Sequence, residues 1–179
     1  MARVYCAGPL FNEPEKEEMA AIASQMESAG HETFLPQRDG IELSEVGREL
    51  DALQMDSADI DDILHRAIFC LDVYKLLGWS EAVVANLNGR VPDEGTVVEA
   101  ALAWYAHMPL VLYKDDARAP FQGDDNPMLS GLTDLRTVSA IRDLPRALAE
   151  QLASDNRQRV EETLALGERV VWYEDRDRR

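Results

Sequence analysis

The sequence has no long apolar run, and this absence excludes a membrane protein built on spanning helices. None of its 179 residues belongs to a stretch that approaches the roughly 20 apolar residues needed to cross a bilayer. The chain begins Met-Ala-Arg ahead of a short apolar run and lacks a signal-peptide core. We therefore expect a cytoplasmic protein without a membrane partner.

Cysteines are also few, and their placement argues against a disulfide or a metal site. Cys6 and Cys70 each lie in apolar sequence without the spacing of metal ligands, so we expect buried, reduced thiols. The three histidines are scattered. No cofactor is indicated either, because the chain contains neither G-x-G-x-x-G nor G-x-x-x-x-G-K.

Basic residues are scarce relative to acidic ones. The 18 Lys and Arg residues against 34 Asp and Glu give a formal net charge of -16. A nucleic acid polymer requires a basic face, so that class of partner is excluded, whereas small neutral substrates are not. Only Lys16, Lys75 and Lys114 are lysines. This composition fits a salt-rich cytosol and an acidic protein from a high-GC genome about equally well.

Apolar runs alternate with helical patterns along the chain, which indicates an α/β fold. The predicted strands cover residues 3–7, 32–35, 81–87, 109–113 and 136–141. The predicted helices cover residues 12–30, 57–77, 93–107 and 144–166, with a possible short helix at 43–53. A β-α-β opening favours a parallel, doubly wound sheet, and the length suits a single domain spanning residues 1–179.

Two carboxylates stand at the start of the helix that follows the central strand. Asp93 is a good N-cap, and Glu99 lies further along the same helix, at the strand end where α/β sheets bind ligands. One carboxylate could attack an anomeric carbon while a second acid handles the leaving group's proton, and the helix N-terminus favours an ionised carboxylate. Spacing alone still favours an ordinary N-cap and a solvated glutamate, because acidic first turns are common.

Two further residues depart from their surroundings. Asp72 interrupts the apolar segment 67–77, and a buried carboxylate needs a partner or a task because its burial is costly. Tyr5 lies within the first predicted strand and could donate a hydrogen bond to a neighbouring carboxylate. A tyrosine packed in the core is the simpler interpretation of Tyr5.

Segments in this order resemble the nucleoside 2-deoxyribosyltransferases. They are VYCAGPLF (4–11), LPQRDG (35–40), VVANLNG (83–89) and PDEGTVVE (92–99), and DNPM (125–128) extends the match. The most specific part is D-x-G-T-x-x-E after a strand ending A-x-L-x-G. The chain departs from the family by having Ala100 and Ala101 after Glu99, where a glycine is common.

The resemblance implies a flavodoxin-like (Rossmann-like), doubly wound, mainly parallel sheet of five strands. It also implies transfer of 2-deoxyribose between nucleobases with retention of configuration. By position, Glu99 matches the family's nucleophile and Tyr5 the tyrosine that orients it. Asp93 matches the carboxylate that binds the sugar hydroxyl or shuttles the base's proton, and Asp72 resembles its partner near the base.

Substrate contacts are implied in two other segments. These are the first loop, at Gly8, Pro9 and Phe11, and the segment containing Asn126 and Met128. Asn126 resembles an asparagine that a neighbouring subunit contributes, which implies a homo-oligomer, based on dimers, with shared active sites. The implied substrates are a deoxynucleoside and a free nucleobase, and the scheme needs no metal or cofactor.

Two alternatives remain open at this stage. A related N-glycosidase would use water as acceptor and hydrolyse a deoxynucleoside or its 5′-monophosphate. The first loop, residues 9–12, lacks the Ser, Arg and Gly with which such relatives hold phosphate, which counts against the phosphorylated substrate. A nucleoside-binding or nucleotide-binding module that has lost the chemistry is the third possibility.

Overall fold

Five parallel strands form one sheet in the part of the chain that the structure describes. The computed structural model describes residues 1–40, 46, 57–118 and 125–177. Within them the strand order is β2-β1-β3-β4-β5, and every pairing is parallel. The strands are β1 (Arg3–Ala7), β2 (Glu32–Phe34), β3 (Ala82–Asn86), β4 (Leu110–Tyr113) and β5 (Thr137–Val138). This confirms the predicted flavodoxin-like, doubly wound fold.

Helices cover both faces of this sheet. They are α1 (Glu13–Ser28), α2 (Pro36–Asp39), α3 (Ser57–Val73), α4 (Glu94–Tyr105), α5 (Pro127–Ser130), α6 (Leu144–Leu152) and α7 (Asn156–Asp177). A π-helical turn, Tyr74–Trp79, extends α3, and 3-10 turns cover Gly131–Thr133 and Ile141–Asp143. Among the described helices, none combines the length and the apolar character required to cross a membrane.

The sheet separates two apolar cores, because its central strands are apolar on both faces. On one face α1 and α6 pack against residues that include Val4, Cys6, Val84 and Val111. On the other face α4 and the π-helical turn pack against residues that include Tyr5, Ala7, Val83 and Ala85. Successive residues of a strand point to opposite faces, so Tyr5 lies on the side of α4 and Cys6 on the side of α1.

The helix starts follow from local chemistry, as predicted. Asn12 caps α1 by accepting a hydrogen bond from the backbone N–H of Glu15 at 3.1 Å, and Pro14 follows in the first turn. The chain leaves α1 at Gly30, whose φ of 87° suits glycine. Asp93 caps α4. Both caps therefore fix the direction in which a loop enters its helix.

The order of the strands creates a crevice at the carboxyl ends of the strands. The chain leaves β1 through α1 to reach β2 on one side, and it leaves β3 through α4 to reach β4 on the other side. Ligands of open α/β sheets bind at such a switch point, outside the carboxyl ends of the strands. The loops 8–12 and 87–93 bound this crevice.

Cys70 corrects one expectation from the sequence. Cys6 is a buried free thiol, as expected, but Cys70 is exposed. The buried positions of α3 include Ile60 and Leu64, and Cys70 lies on another side of the helix. The side of the helix that carries Phe69 and Cys70 is therefore surface, whereas the adjacent Leu71 packs against the core.

The C-terminal third of the chain also differs from the sequence-based elements. The predicted helix at 144–166 is divided into α6 and α7, because Asp155 accepts a hydrogen bond from the backbone N–H of Gln158 at 2.9 Å and so starts a new helix. The predicted fifth strand shortens to Thr137–Val138. The expected loop at 114–132 contains α5. The possible helix at 43–53 lies, except for residue 46, outside the described residues.

Candidate active site

Tyr5 and Glu99 meet on the α4 side of the crevice. The hydroxyl of Tyr5 donates a hydrogen bond to Oε1 of Glu99 at 2.6 Å. Tyr5 is fully buried in the middle of β1, and Glu99 lies in the second turn of α4. The bond therefore ties a helix side chain to the centre of the sheet.

Aromatic packing holds the ring of Tyr5. Phe34 of β2 stacks on it with ring centroids 5.6 Å apart and an interplanar angle of 28°. Trp79 meets the ring of Phe34 edge-on at 6.4 Å. The ammonium of Lys75 lies 5.0 Å from the centroid of Phe34 and 4.6 Å from that of Trp79, within the range of cation–π attraction. β2 and the π-helical turn thus brace Tyr5.

The site raises the proton affinity of Glu99. Burial is the main cause, and the negative charges of Asp72 and Asp93 add to it, so the pKa of Glu99 rises to about 7 although the hydrogen bond from Tyr5 lowers it. The sequence predicted an ionised glutamate near a helix N-terminus, but loss of water outweighs that favourable charge. Glu99 is consequently balanced between its two protonation states near neutral pH.

Asp93 is both an N-cap and a neighbour of Glu99. Its Oδ2 accepts hydrogen bonds from the backbone N–H of Thr96 at 2.7 Å and from the hydroxyl of Thr96 at 2.8 Å. A Cβ on Gly95 would lie 3.1 Å from the same oxygen, so glycine allows the close approach. This contact explains the D-x-G-T spacing: Gly95 gives room, and Thr96 fixes the carboxylate.

Asp72 lies near the end of α3, just before the π-helical turn. It is half-buried, and burial raises its pKa. Its charge also raises the pKa values of Tyr5 and Glu99. Asp72 lines a cavity of about 880 Å³ with Leu10 and Gln37, a volume that suits a small molecule. The structure therefore brings Tyr5, Asp72, Asp93 and Glu99 together, and we call these four residues the crevice cluster.

The three first-loop residues have different surroundings. A Cβ on Gly8 would meet Sδ of Met19 and lie 3.1 Å from Cβ of Asn86, so a larger residue there would require Met19 to shift. Pro9 is buried. The side chain of Phe11 is 81% exposed and free to face a ligand.

Asn126 and Met128 border a different cavity. Asn126 caps α5 by accepting a hydrogen bond from the backbone N–H of Met128 at 3.0 Å, and Met128 is 83% exposed. Both line a cavity of about 620 Å³ with Val97 and Trp104 of α4. Among the described residues that line it, no member of the crevice cluster occurs. Asn126 and Met128 therefore line a cavity of their own, which Pro92, the neighbour of Asp93, also borders.

Sequence reasoning overlooked Asn86, the last residue of β3. Asn86 is fully buried and donates a hydrogen bond to Oε2 of Glu18 at 2.8 Å. A polar residue inside an apolar strand is the same signal that singled out Asp72. No group of three or more potential metal-ligating side chains occurs in the part of the chain that the structure describes.

Comparisons with known proteins agree with this geometry. The family model described as nucleoside 2-deoxyribosyltransferase matches residues 4–133. A crystal structure of a conserved protein from Enterococcus faecalis V583 is similar in fold, with a TM-score of 0.61, 21% identity, and coverage of 84% of this chain and 99% of that one. So is the 2-deoxyribosyltransferase of the psychrotolerant bacterium Bacillus psychrosaccharolyticus, with a TM-score of 0.54, 18% identity, and coverage of 80% of this chain and 90% of that one.

A comparison with curated protein sequences gives no match. The family match nevertheless extends from β1 through the 3-10 turn after α5 and contains the whole crevice cluster. On that basis the chain is an enzyme that belongs to the nucleoside 2-deoxyribosyltransferase family.

Proposed function

We propose that this enzyme transfers 2-deoxyribose between nucleobases through a covalent intermediate on Glu99, with retention of configuration. The observation that carries the proposal is the hydrogen bond from Tyr5 to Oε1 of Glu99, because it orients a carboxylate in a crevice that also contains two further acids. Family membership supports the general reaction, and the geometry supports the roles of individual residues.

The first half of the reaction breaks the N-glycosidic bond. An oxygen of ionised Glu99 attacks C1′, the bond from C1′ to the base nitrogen breaks, and the base leaves with that electron pair. A base leaves readily only when a ring nitrogen is protonated. Asp72 is the proposed proton donor, because burial raises its pKa and it faces the 880 Å³ cavity.

The second half restores the enzyme. A second base attacks C1′ from the side that the first base left, the ester bond to Glu99 breaks, and the acceptor's proton returns to Asp72. Two displacements at one carbon give overall retention. Asp93 is the proposed ligand of a sugar hydroxyl, because its two hydrogen bonds with Thr96 both use Oδ2 and Oδ1 can accept another.

Tyr5 orients the nucleophile without reacting. Its hydroxyl donates to one oxygen of Glu99 and leaves the other for C1′. Burial and the neighbouring carboxylate keep the pKa of Tyr5 far above its ordinary value, so it remains a donor at every working pH. The same bond lowers the pKa of Glu99 and so favours its nucleophilic form.

We further propose that a second copy of the chain completes the site. Tyr105 and Met128, 75% and 83% exposed, border the apolar 620 Å³ cavity together with Asn126, and exposed apolar surface of this kind marks an interface. Asn126 would then reach the crevice of the neighbouring subunit. This is consistent with its place on a cavity whose described lining contains no member of the crevice cluster.

Incubation with a deoxynucleoside, with and without a second free base, tests the proposed reaction. Formation of the new nucleoside in the presence of the second base supports transfer, and NMR of its anomeric proton checks retention. Release of free base alone would mean that water is the acceptor. No turnover of any deoxynucleoside would instead favour a binding module and contradict the proposal.

A further inference from the structure

Glu18 of α1 joins two asparagines at the carboxyl end of β3. Its Oε2 accepts a hydrogen bond from Nδ2 of Asn86 at 2.8 Å, and its Oε1 accepts one from Nδ2 of Asn88 at 2.6 Å. Each carboxylate oxygen therefore has its own amide donor. We call Glu18, Asn86 and Asn88 the asparagine clamp. It lies on the α1 side of the sheet, away from Tyr5.

Both ends of the Asn86 amide are used. While Nδ2 donates to Glu18, Oδ1 accepts a hydrogen bond from the backbone N–H of Asn88 at 2.9 Å. A fully buried amide in a central strand is costly unless all its polar groups are bonded. An apolar side chain would suit the strand without that cost, so Asn86 indicates a demand other than core packing.

The clamp continues into the loop after β4. Oδ1 of Asn88 accepts hydrogen bonds from the backbone N–H groups of Asp115 at 3.0 Å and Asp116 at 3.1 Å. The turn at residues 88–89 is thus tied to α1, to β3 and to the chain beyond β4.

This turn leads directly to Asp93. Residues 90–92 separate it from Asp93, where the loop enters α4. Glu99 has separate support, because Tyr5 bonds it and the buried Ala100 and Ala103 anchor its helix. Loosening the turn should therefore move Asp93 more than Glu99.

We infer that the asparagine clamp positions Asp93 for the sugar, through the loop 87–93. This rests on the role given to Asp93 in the proposed function. The clamp residues touch no reacting atom, and their effect is on binding: without the clamp the deoxynucleoside is held more weakly. The titration of Glu99 shifts little, because burial is the main cause of its raised pKa and Asp93 is the smallest one.

Two substitutions and their combination test this. Glu18→Gln leaves one acceptor where the clamp needs two, and Asn86→Asp sets a carboxylate against the carboxylate of Glu18. Each single variant should raise KM for the deoxynucleoside about tenfold. In the double variant, the amide at position 18 can donate to the carboxylate at position 86 and still accept from Asn88. Every clamp bond is then restored, and KM should return to within about twofold of the wild type.

Two measurements separate positioning from general stability. The backbone N–H of Thr96 is bonded to Asp93, so its hydrogen exchange should quicken in both single variants and recover in the double variant. The acid limb of kcat/KM should stay close to that of the wild type in all of them, because Asp93 is the smallest of the influences on the pKa of Glu99. Glu17→Gln is the matched control, because Glu17 is an exposed neighbour on α1 and its substitution changes the charge as Glu18→Gln does. It should alter neither the hydrogen exchange of Thr96 nor the acid limb of kcat/KM.

An unchanged KM in folded single variants, or a double variant as impaired as the singles, would overturn the inference. A merely structural clamp would lower the unfolding temperature while KM and Thr96 exchange stayed the same. The absence of turnover in the wild-type enzyme would count against the proposed function alone. Thr96 exchange would then still decide whether the clamp holds Asp93.

Discussion

The oxygen atoms of Tyr5 and Glu99 lie 2.6 Å apart although the two residues are 94 positions apart in the sequence. The bond connects the first strand of the sheet to a helix formed much later in the chain. It fixes one oxygen of the carboxylate, and the packing of Tyr5 against Phe34 holds the ring whose hydroxyl donates the bond.

Glu99→Ala should abolish both transfer and hydrolysis, with a loss of at least about 10³-fold in kcat, because the nucleophile is removed. Steady-state assays with a deoxynucleoside and an acceptor base measure the loss. Circular dichroism should show an intact fold. Glu94→Ala, an exposed position on the same helix, is the control. Full activity of Glu99→Ala would rule out the covalent mechanism.

Tyr5→Phe should lower kcat by about 10- to 100-fold, in line with the loss of one buried donor. The bond from Tyr5 lowers the pKa of Glu99, so the acid limb of kcat/KM should also move to higher pH. A pH profile of the variant checks both effects. Tyr74→Phe removes an exposed hydroxyl and should change neither. A Tyr5→Phe profile that coincides with the wild type would contradict the orienting role.

The pKa of Glu99 predicts opposite effects of pH on activity and on stability. Activity requires the carboxylate, so kcat/KM should fall below about pH 7. The folded state retains a proton that the unfolded chain releases near the ordinary value of 4.5. This stabilising contribution is complete below pH 4.5 and is lost as the pH rises through about 7. The loss in free energy of unfolding is at most about 3 kcal/mol.

Urea unfolding at pH 5 and pH 8 measures this second effect. The wild type should lose more free energy of unfolding over that interval than Glu99→Gln, which cannot titrate. Equal losses in the two proteins would show that Glu99 has an ordinary pKa in the folded state.

Mixed subunits test the proposed sharing of sites. Asn126→Ala and Glu99→Ala proteins should each be nearly inactive, whereas a mixture allowed to exchange subunits should recover part of the activity. A site with wild-type Glu99 from one chain and wild-type Asn126 from the other explains the recovery. Each variant incubated alone is the control, and a mixture no more active than its components would mean that one chain builds the whole site.

The strands and helix starts could be predicted because their signals are local. The apolar run at Val83, the caps at Asn12 and Asp93 and the glycine at residue 30 each act within a few residues of their own position. The break between α6 and α7 was missed because one side-chain bond, from Gln158 to Asp155, outweighs continuous helical spacing.

The candidate active site could not be predicted from the spacing of residues in the sequence alone. Whether Glu99 is solvated or buried depends on Tyr5 and on the packing of α4, and neither is visible from a helix pattern. Family resemblance supplied the roles of Tyr5 and Asp72, yet it gave no indication that burial raises the pKa of Glu99. The partner of Asn86 is Glu18, 68 residues away, so only the fold reveals the asparagine clamp.

The packing of Lys75 between Phe34 and Trp79 has a consequence for how this enzyme can evolve or be engineered. Substitution of either ring would disturb the support of Tyr5, and through it Glu99, although neither ring is among the reacting groups. Leu10 and Gln37, in contrast, line the large cavity from loop and surface-helix positions. If the base occupies this cavity as proposed, we expect new base preferences to arise more readily from substitutions at Leu10 and Gln37, which leave the bond from Tyr5 to Glu99 in place.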